Sequence, residues 1–331
     1  MRRRQATRRP APPAKTAGLS PRKDRRVVEI GDVPVLLETS GDDRSAAVAA
    51  LLGGIATSET PPAVSIRYED RGPELPARPP NRTYADMRVW SDDDTLVLQY
   101  ANGTRARVAG GVAHIGGDTA DFALGFARLF HPVIAHLLAA HDRLVLHAAA
   151  VERDAAALLV MGATGSGKST VALAAAESGW TVLGDDLAVL RFAGAELEVA
   201  GVGRRLAFPP NLGARAERRG SPIEGDARGR WMLPSERLAV GWFPVVGVVL
   251  LKHSSADGSL QRCEAEEVFD IALDAFAPVA DARRLRQILP YCAAIARLSG
   301  WELGLGVDVA TRLDGAARRL VDIAATVAMA R

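Results

Sequence analysis

Lysine is almost missing from this chain. Only four of the 41 basic residues are lysines, at positions 15, 23, 168 and 252, and the rest of the positive charge is arginine. Any lysine inside a recognisable pattern therefore stands out against its background. Cysteine is equally scarce: Cys263 and Cys292 lie far apart and lack metal-ligand spacing. That excludes a disulfide framework and a zinc ribbon, and leaves two reduced, buried thiols as the expectation. Long apolar runs are missing too. The longest, around residues 243–251, falls well short of the roughly 20 residues a membrane-spanning helix needs. No hydrophobic signal segment follows the N-terminus, so the expectation is a cytoplasmic protein with no membrane partner.

What is present is a globular composition. With 331 residues, 48% hydrophobic and 24% charged, the chain can bury a substantial core and has room for about two domains. The net charge of +2 conceals an asymmetry. Residues 1–26 carry ten basic side chains, one acidic one (Asp24) and four prolines, which leaves an acidic body. Such an arm could meet nucleic acid, but the expectation is a solvated, disordered tail and no nucleic-acid partner.

One segment carries explicit chemistry. Gly162, Ala163, Thr164, Gly165, Ser166, Gly167, Lys168, Ser169 and Thr170 fit G-x-x-x-x-G-K-[ST], the pattern of a phosphate-binding loop. The glycines let successive backbone N–H groups converge on one anion. Lys168 supplies a compact charge to the outer phosphates, and the Ser169 hydroxyl is placed to ligate Mg²⁺. Residue frequencies give roughly 0.003 chance matches to this pattern in such a chain. Its context agrees: residues 155–161 suit a buried strand, and residues 170–178 form a strong helix pattern ended by Gly179. Strand, loop and helix in that order aim a helix N-terminus at phosphate.

Seventeen residues after Lys168 comes the pair Asp185-Asp186, following the short strand-like run 181–183. Neighbouring residues leaving a strand point in different directions, so one carboxylate can serve a metal while the other faces an incoming hydroxyl. His147 stands in another apolar run, 144–151, joined to the loop strand by the polar turn 152–154. If the two strands pair, His147 lies near the phosphate-loop end.

Elsewhere, residues 27–37 read as a strand pair turning at Gly31-Asp32, and residues 46–52 as helix-prone. Strands are expected at 63–68, 84–90, 95–100 and 104–108, the last two linked by the hairpin signal Asn102-Gly103. Residues 71–82 read as an exposed loop. These segments define a small α+β accessory domain over 27–118. A helical pattern follows over 119–142, with Asp118 or Thr119 as its start and Pro132 as a kink. His131, His136 and His141 lie along it, but steps of five turn each about 140° from the last, so they share no face for a metal. The remaining residues, 143–331, alternate strands (187–192, 197–200, 245–252) with helices (264–276, 282–298, 316–330). Between them, 203–237 is a candidate lid or substrate loop. Arg204, Arg205, Arg228 and Arg230 are its candidates for neutralising a transferring phosphoryl group.

Taken together, His147 with its following alanines, the loop 162–170 and the stretch Leu183, Gly184, Asp185, Asp186 resemble the HPr kinase/phosphorylase-like family. The resemblance covers about residues 143–193 and is looser beyond. It implies an α/β fold with a P-loop nucleotide core similar to phosphoenolpyruvate carboxykinase. It implies ATP and Mg²⁺ as cofactors and transfer of a phosphoryl group to a serine hydroxyl of a protein or peptide acceptor. It leaves a homo-oligomer open, since relatives often assemble. On this pattern Asp185 is the general base with His147 beside it, Asp186 serves magnesium with Ser169, and Lys168 holds the phosphates. Thr170 replaces the family's usual glutamate, and the Gly-rich segment beyond the acidic pair is not found, so the pattern points away from HPr itself and toward peptide-tailoring kinases. The alternative is an ATPase switch without an acceptor. Neither an L-S-G-G-Q helix start nor an N-K-x-D guanine reader is present to favour one.

Overall fold

The computed structural model describes residues 23–40, 57–84, 86–92, 94–117, 122–202, 207–208, 221–222, 231–232, 239–253, 258–276, 282–306 and 309–330. The protein is mixed α/β, built on two large sheets. The expected helix at 46–52, the start signals Asp118 and Thr119, and the tail up to residue 22 lie outside the described residues.

The first sheet holds β1 (Lys23–Ile30), β2 (Val33–Ser40), β3 (Val64–Glu69), β4 (Arg82–Thr83), β5 (Met87–Asp92), β6 (Thr95–Tyr100), β7 (Arg105–Ala109) and β8 (Val112–Gly116). Their order is β1-β2-β3-β8-β7-β6-β5-β4. Strand β1 begins within the last residues assigned to the basic tail, because Arg25 pairs across to Glu38 on β2. Strand β8 is an element the sequence pattern did not announce. Alternation explains the sheet's sidedness: Val64, Ile66 and Tyr68 point inward from β3, as do Ala106 and Val108 from β7. Helix α1 (Phe122–Ala139) covers that inner face, packing on β6, β7 and β8. Phe126 meets Tyr68 edge-on with ring centroids 4.8 Å apart. Pro132 sits inside the helix, where it removes one backbone donor. The segment read as an exposed loop, 71–82, is pinned by Arg78, whose carbonyl accepts from Trp90 Nε1 at 2.8 Å.

The second sheet contains β9 (Leu144–Leu146), β10 (Ala149–Arg153), β11 (Ala156–Met161), β12 (Thr181–Gly184), β13 (Ala188–Ala193) and β14 (Glu196–Val202). Helix α2 (Lys168–Glu177) joins β11 to β12. A small separate sheet follows, made of β15 (Ala207–Phe208), β16 (Ser221–Pro222) and β17 (Trp231–Met232). The chain then supplies β18 (Val240–His253), β19 (Leu260–Arg262), α3 (Ala265–Ala275), α4 (Ala282–Ala296), β20 (Ser299–Leu305) and α5 (Val309–Ala330). The sheet order is β12-β10-β11-β18-β14-β13-β9, with β20 also on β18 and β19 on β20. Strand β18 organises it: residues 240–244 pair antiparallel with β14, and its second half runs parallel to β11 and β20. Helices α2 and α5 share one core with Val249, Leu251, Leu303 and Leu305, while α3 and α4 cover the opposite face.

The two sheets share an interior. Val145, Leu187, Val189 and Ala200 belong to the same buried cluster as the residues between the first sheet and α1. The β1–β2 turn reinforces the junction: Asp32 accepts from Arg143 Nε at 2.8 Å and from Arg191 Nη1 at 3.0 Å. Both guanidiniums lie over Trp242. Among the described residues, no helix is long and apolar enough to cross a membrane.

Candidate functional site

Register brings three strand ends to one place. In the β10–β11 pair Ala149 lies opposite Val160, so Ala148 is level with the last residue of β11 and His147 falls beyond it, where the glycine loop begins. In the β10–β12 pair Ala150 lies opposite Gly184, so Asp185 and Asp186 leave β12 at the same edge. The run 144–151 is not one strand, as its apolar character suggested. It breaks at His147, whose N–H donates to the carbonyl of Ala275 at 2.7 Å instead of joining the sheet. Upstream of the break β9 pairs with β13, and downstream β10 pairs with β11 and β12.

The loop itself is shaped by its glycines. Gly167 has φ +107, and a Cβ there would stand 2.8 Å from Leu305 Cδ1. A Cβ on Gly162, at φ +151, would stand 2.8 Å from Ser166 Oγ and 3.1 Å from the carbonyl of Leu251. Both φ values disfavour a side chain, and at Gly162 the Leu251 carbonyl leaves little room for one. The loop tip, Ala163, Thr164 and Gly165, is exposed, whereas Ser166 is buried and its Oγ has no hydrogen-bond partner among the described residues. Helix α2 starts at Gly167 without any side-chain cap. Its first N–H groups are therefore left for an outside acceptor. Thr170 lies half-buried in that first turn.

Lys168 is buried, 5% exposed, and donates to the carbonyls of Gly162 at 3.0 Å and Ala163 at 3.2 Å. Burial lowers its pKa from the ordinary lysine value, and the nearby carboxylates of Asp186 and Asp185 partly offset this. The ammonium thus sits in the field of both acids. Ser169 Oγ donates a long hydrogen bond, 3.4 Å, to Asp185 Oδ2. Asp185 is 5% exposed. The side chain of Asp186 is 48% exposed and faces His147, with Nε2 to Oδ1 at 3.6 Å. The expectation had put His147 beside Asp185 and Ser169 with Asp186; the neighbours found are the other way round.

These groups could hold a hard cation and phosphate oxygens. Ser169 and Asp185 offer hard oxygen donors, and no cluster of three His, Cys, Asp or Glu that could hold a metal occurs among the described residues. A magnesium ion needs no such cage, since it keeps waters and takes one or two protein oxygens plus substrate phosphates. The candidate lid 203–237 is described only at β15, β16 and β17, and β15 lies against α2. Arg204, Arg205, Arg228 and Arg230 lie outside the described residues.

One neighbour was missed. His131, on α1, packs its ring edge-on against that of His147, with centroids 5.8 Å apart. Sequence reasoning considered His131 only with the other helix histidines, and nothing in the local pattern links α1 to a strand break sixteen residues later.

No protein-family model matches the chain. No curated protein matches it significantly. Among solved structures, the HPr(Ser) kinase/phosphatase from Coxiella burnetii aligns with 13% identity over 55% of this chain and 98% of its own, at a TM-score of 0.30. At that level the likeness transfers neither mechanism nor substrate, and the site has to be read from its own residues.

Proposed function

We propose that the protein is an ATP-dependent kinase with a P-loop core of the phosphoenolpyruvate carboxykinase-like type, transferring the γ-phosphoryl group to a hydroxyl, serine foremost, of a protein or peptide acceptor. The observation that carries this reading is Lys168: a buried ammonium beside an uncapped helix N-terminus, within reach of two acids' fields. A buried cation with a depressed pKa is costly until an anion arrives. A triphosphate meets that need and the free N–H groups of α2 together.

In this reading Lys168 turns from the loop carbonyls to the β- and γ-phosphate oxygens. Ser169 and Asp185, the buried acid, would hold a magnesium ion, which would supply charge neutralisation at the phosphates. Asp186, the exposed acid, faces the acceptor, and His147 steadies it. The Asp186 carboxylate takes the acceptor hydroxyl proton as that oxygen forms its bond to the γ-phosphorus. The bond from phosphorus to the β–γ bridging oxygen breaks, and ADP leaves with that electron pair.

Two variants test the division of roles. Asp185→Asn should raise the Mg²⁺ concentration needed for nucleotide binding. Asp186→Asn should keep MgATP binding and lose at least about 100-fold in phosphoryl transfer or residual hydrolysis. If the wild-type protein does not bind MgATP, or if the two variants behave alike, the assignment is wrong. The acceptor can be sought by incubation with labelled ATP and candidate peptides, with the label located by mass spectrometry.

A further inference from the structure

His147 poses a positioning problem. Its backbone is tied down at the break between β9 and β10 by the N–H to Ala275, but that bond does not fix the ring. The imidazole is about one-third exposed, and its link to Asp186 is a single contact at 3.6 Å. A ring so held can rotate about two torsions. One observation in the fold answers this: the edge-on contact from His131, at 5.8 Å and an interplanar angle of 72°.

The support behind His131 is rigid. Its neighbours on α1, Phe130, Val133 and Ile134, are at most 2% exposed, and Phe126 is locked between Tyr68 and Phe130. The helix that closes the first sheet therefore carries a ring directly to the edge of the candidate site. An aromatic pair of this geometry prefers one mutual orientation.

We propose that His131 is a positioning residue: its ring, carried on α1, holds the His147 imidazole so that Nε2 faces Asp186. The role in turnover rests on the kinase reading above, with Asp186 as the base, while the placement of the ring does not. His131 touches neither nucleotide nor acceptor in this scheme. It acts through His147.

The test uses the full chain and three variants, His131→Ala, His131→Phe and His131→Gln, with melting curves to establish that each folds. Imidazole ¹⁵N spectra, in which His147 is assigned with His147→Gln, should show the His147 signals shifted or broadened in the alanine and glutamine variants and close to wild type in the phenylalanine variant. With MgATP and water as the acceptor, the alanine variant should lose about three- to tenfold in kcat at unchanged KM for ATP, and phenylalanine should restore most of it. Unchanged His147 signals in the alanine variant would overturn the proposal. So would equal losses in the alanine and phenylalanine variants, or a change confined to KM. If the wild type shows no MgATP binding or turnover, the kinase reading falls, and the spectra still decide whether His131 holds the ring.

Discussion

Replacing Lys168 by methionine separates what the ammonium does for binding from what it does to the fold. The side chain keeps its length and loses its charge. In the free protein that charge is 5% exposed and, among the described residues, bonded to two loop carbonyls, and burial outweighs the attraction of Asp186 and Asp185. The depressed pKa means the protonated form opposes folding. Exchanging a buried charge for a well-packed apolar group of similar size is commonly neutral or stabilising by about 1 to 4 kcal/mol. The free variant should therefore melt at the wild-type temperature or a few degrees higher, each kcal/mol being worth roughly 1–2 °C at this size. Binding should move the opposite way. Losing two charge-assisted bonds to phosphate, about 1.5 kcal/mol or more each, weakens MgATP by at least about 100-fold. The sign of the pH dependence also differs. For wild type, the cost of the charge is carried in full below the folded pKa. It is relieved as pH rises through that value toward 10.5, where the unfolded lysine also loses its proton, so stability climbs in that window. The variant lacks the climb. Calorimetric titration with MgATP and melting curves from neutral to alkaline pH measure each part. A variant that melts well below wild type, or that MgATP still protects, refutes the reasoning.

Gly167→Ala combines a strained φ of +107 with a Cβ 2.8 Å from Leu305 Cδ1. It should cost about 1–3 kcal/mol in urea unfolding and weaken MgATP at least about tenfold; wild-type affinity would show that the loop tolerates a different shape. The thiols should behave unequally. Burial pushes Cys292 up to about 12, and Cys263, half-buried, is raised as well. A disulfide reagent at pH 8 should label Cys263 slowly and Cys292 only on unfolding, so native Cys263→Ser protein that reacts promptly would contradict the burial of Cys292.

The sequence revealed most where a local rule dictates structure. Asn102-Gly103 turns β6 into β7, and the glycine, lysine and serine spacing places the loop between β11 and α2. It failed where distant backbone decides. Nothing within 144–151 signals a break, because the partner of the His147 N–H is the carbonyl of Ala275. The first half of β18 was passed over, yet its Gly241 and Pro244 both pair with β14. Strand β20 was not announced either; its Gly300 answers to packing across the sheet, as a Cβ would fall 2.5 Å from Cys263 Sγ. Within the site, the convergence of loop and acids was legible from spacing. Which acid lies next to which partner was not, because the contacts join residues of separate elements, Ser169 with Asp185 and His147 with Asp186.

The common interior under the two sheets has a practical corollary. Val145, Leu187, Val189 and Ala200 lie in one buried cluster with residues of the first sheet and α1. A fragment starting after that sheet would bare Val189, which Gly31 abuts, and the face of α1 that packs on the sheet, beside Arg143 and Arg191 robbed of Asp32. Anyone shortening this protein to its nucleotide-facing half should expect an insoluble product, and the roof built by residues 23–116 is better treated as part of the engine than as a detachable cover.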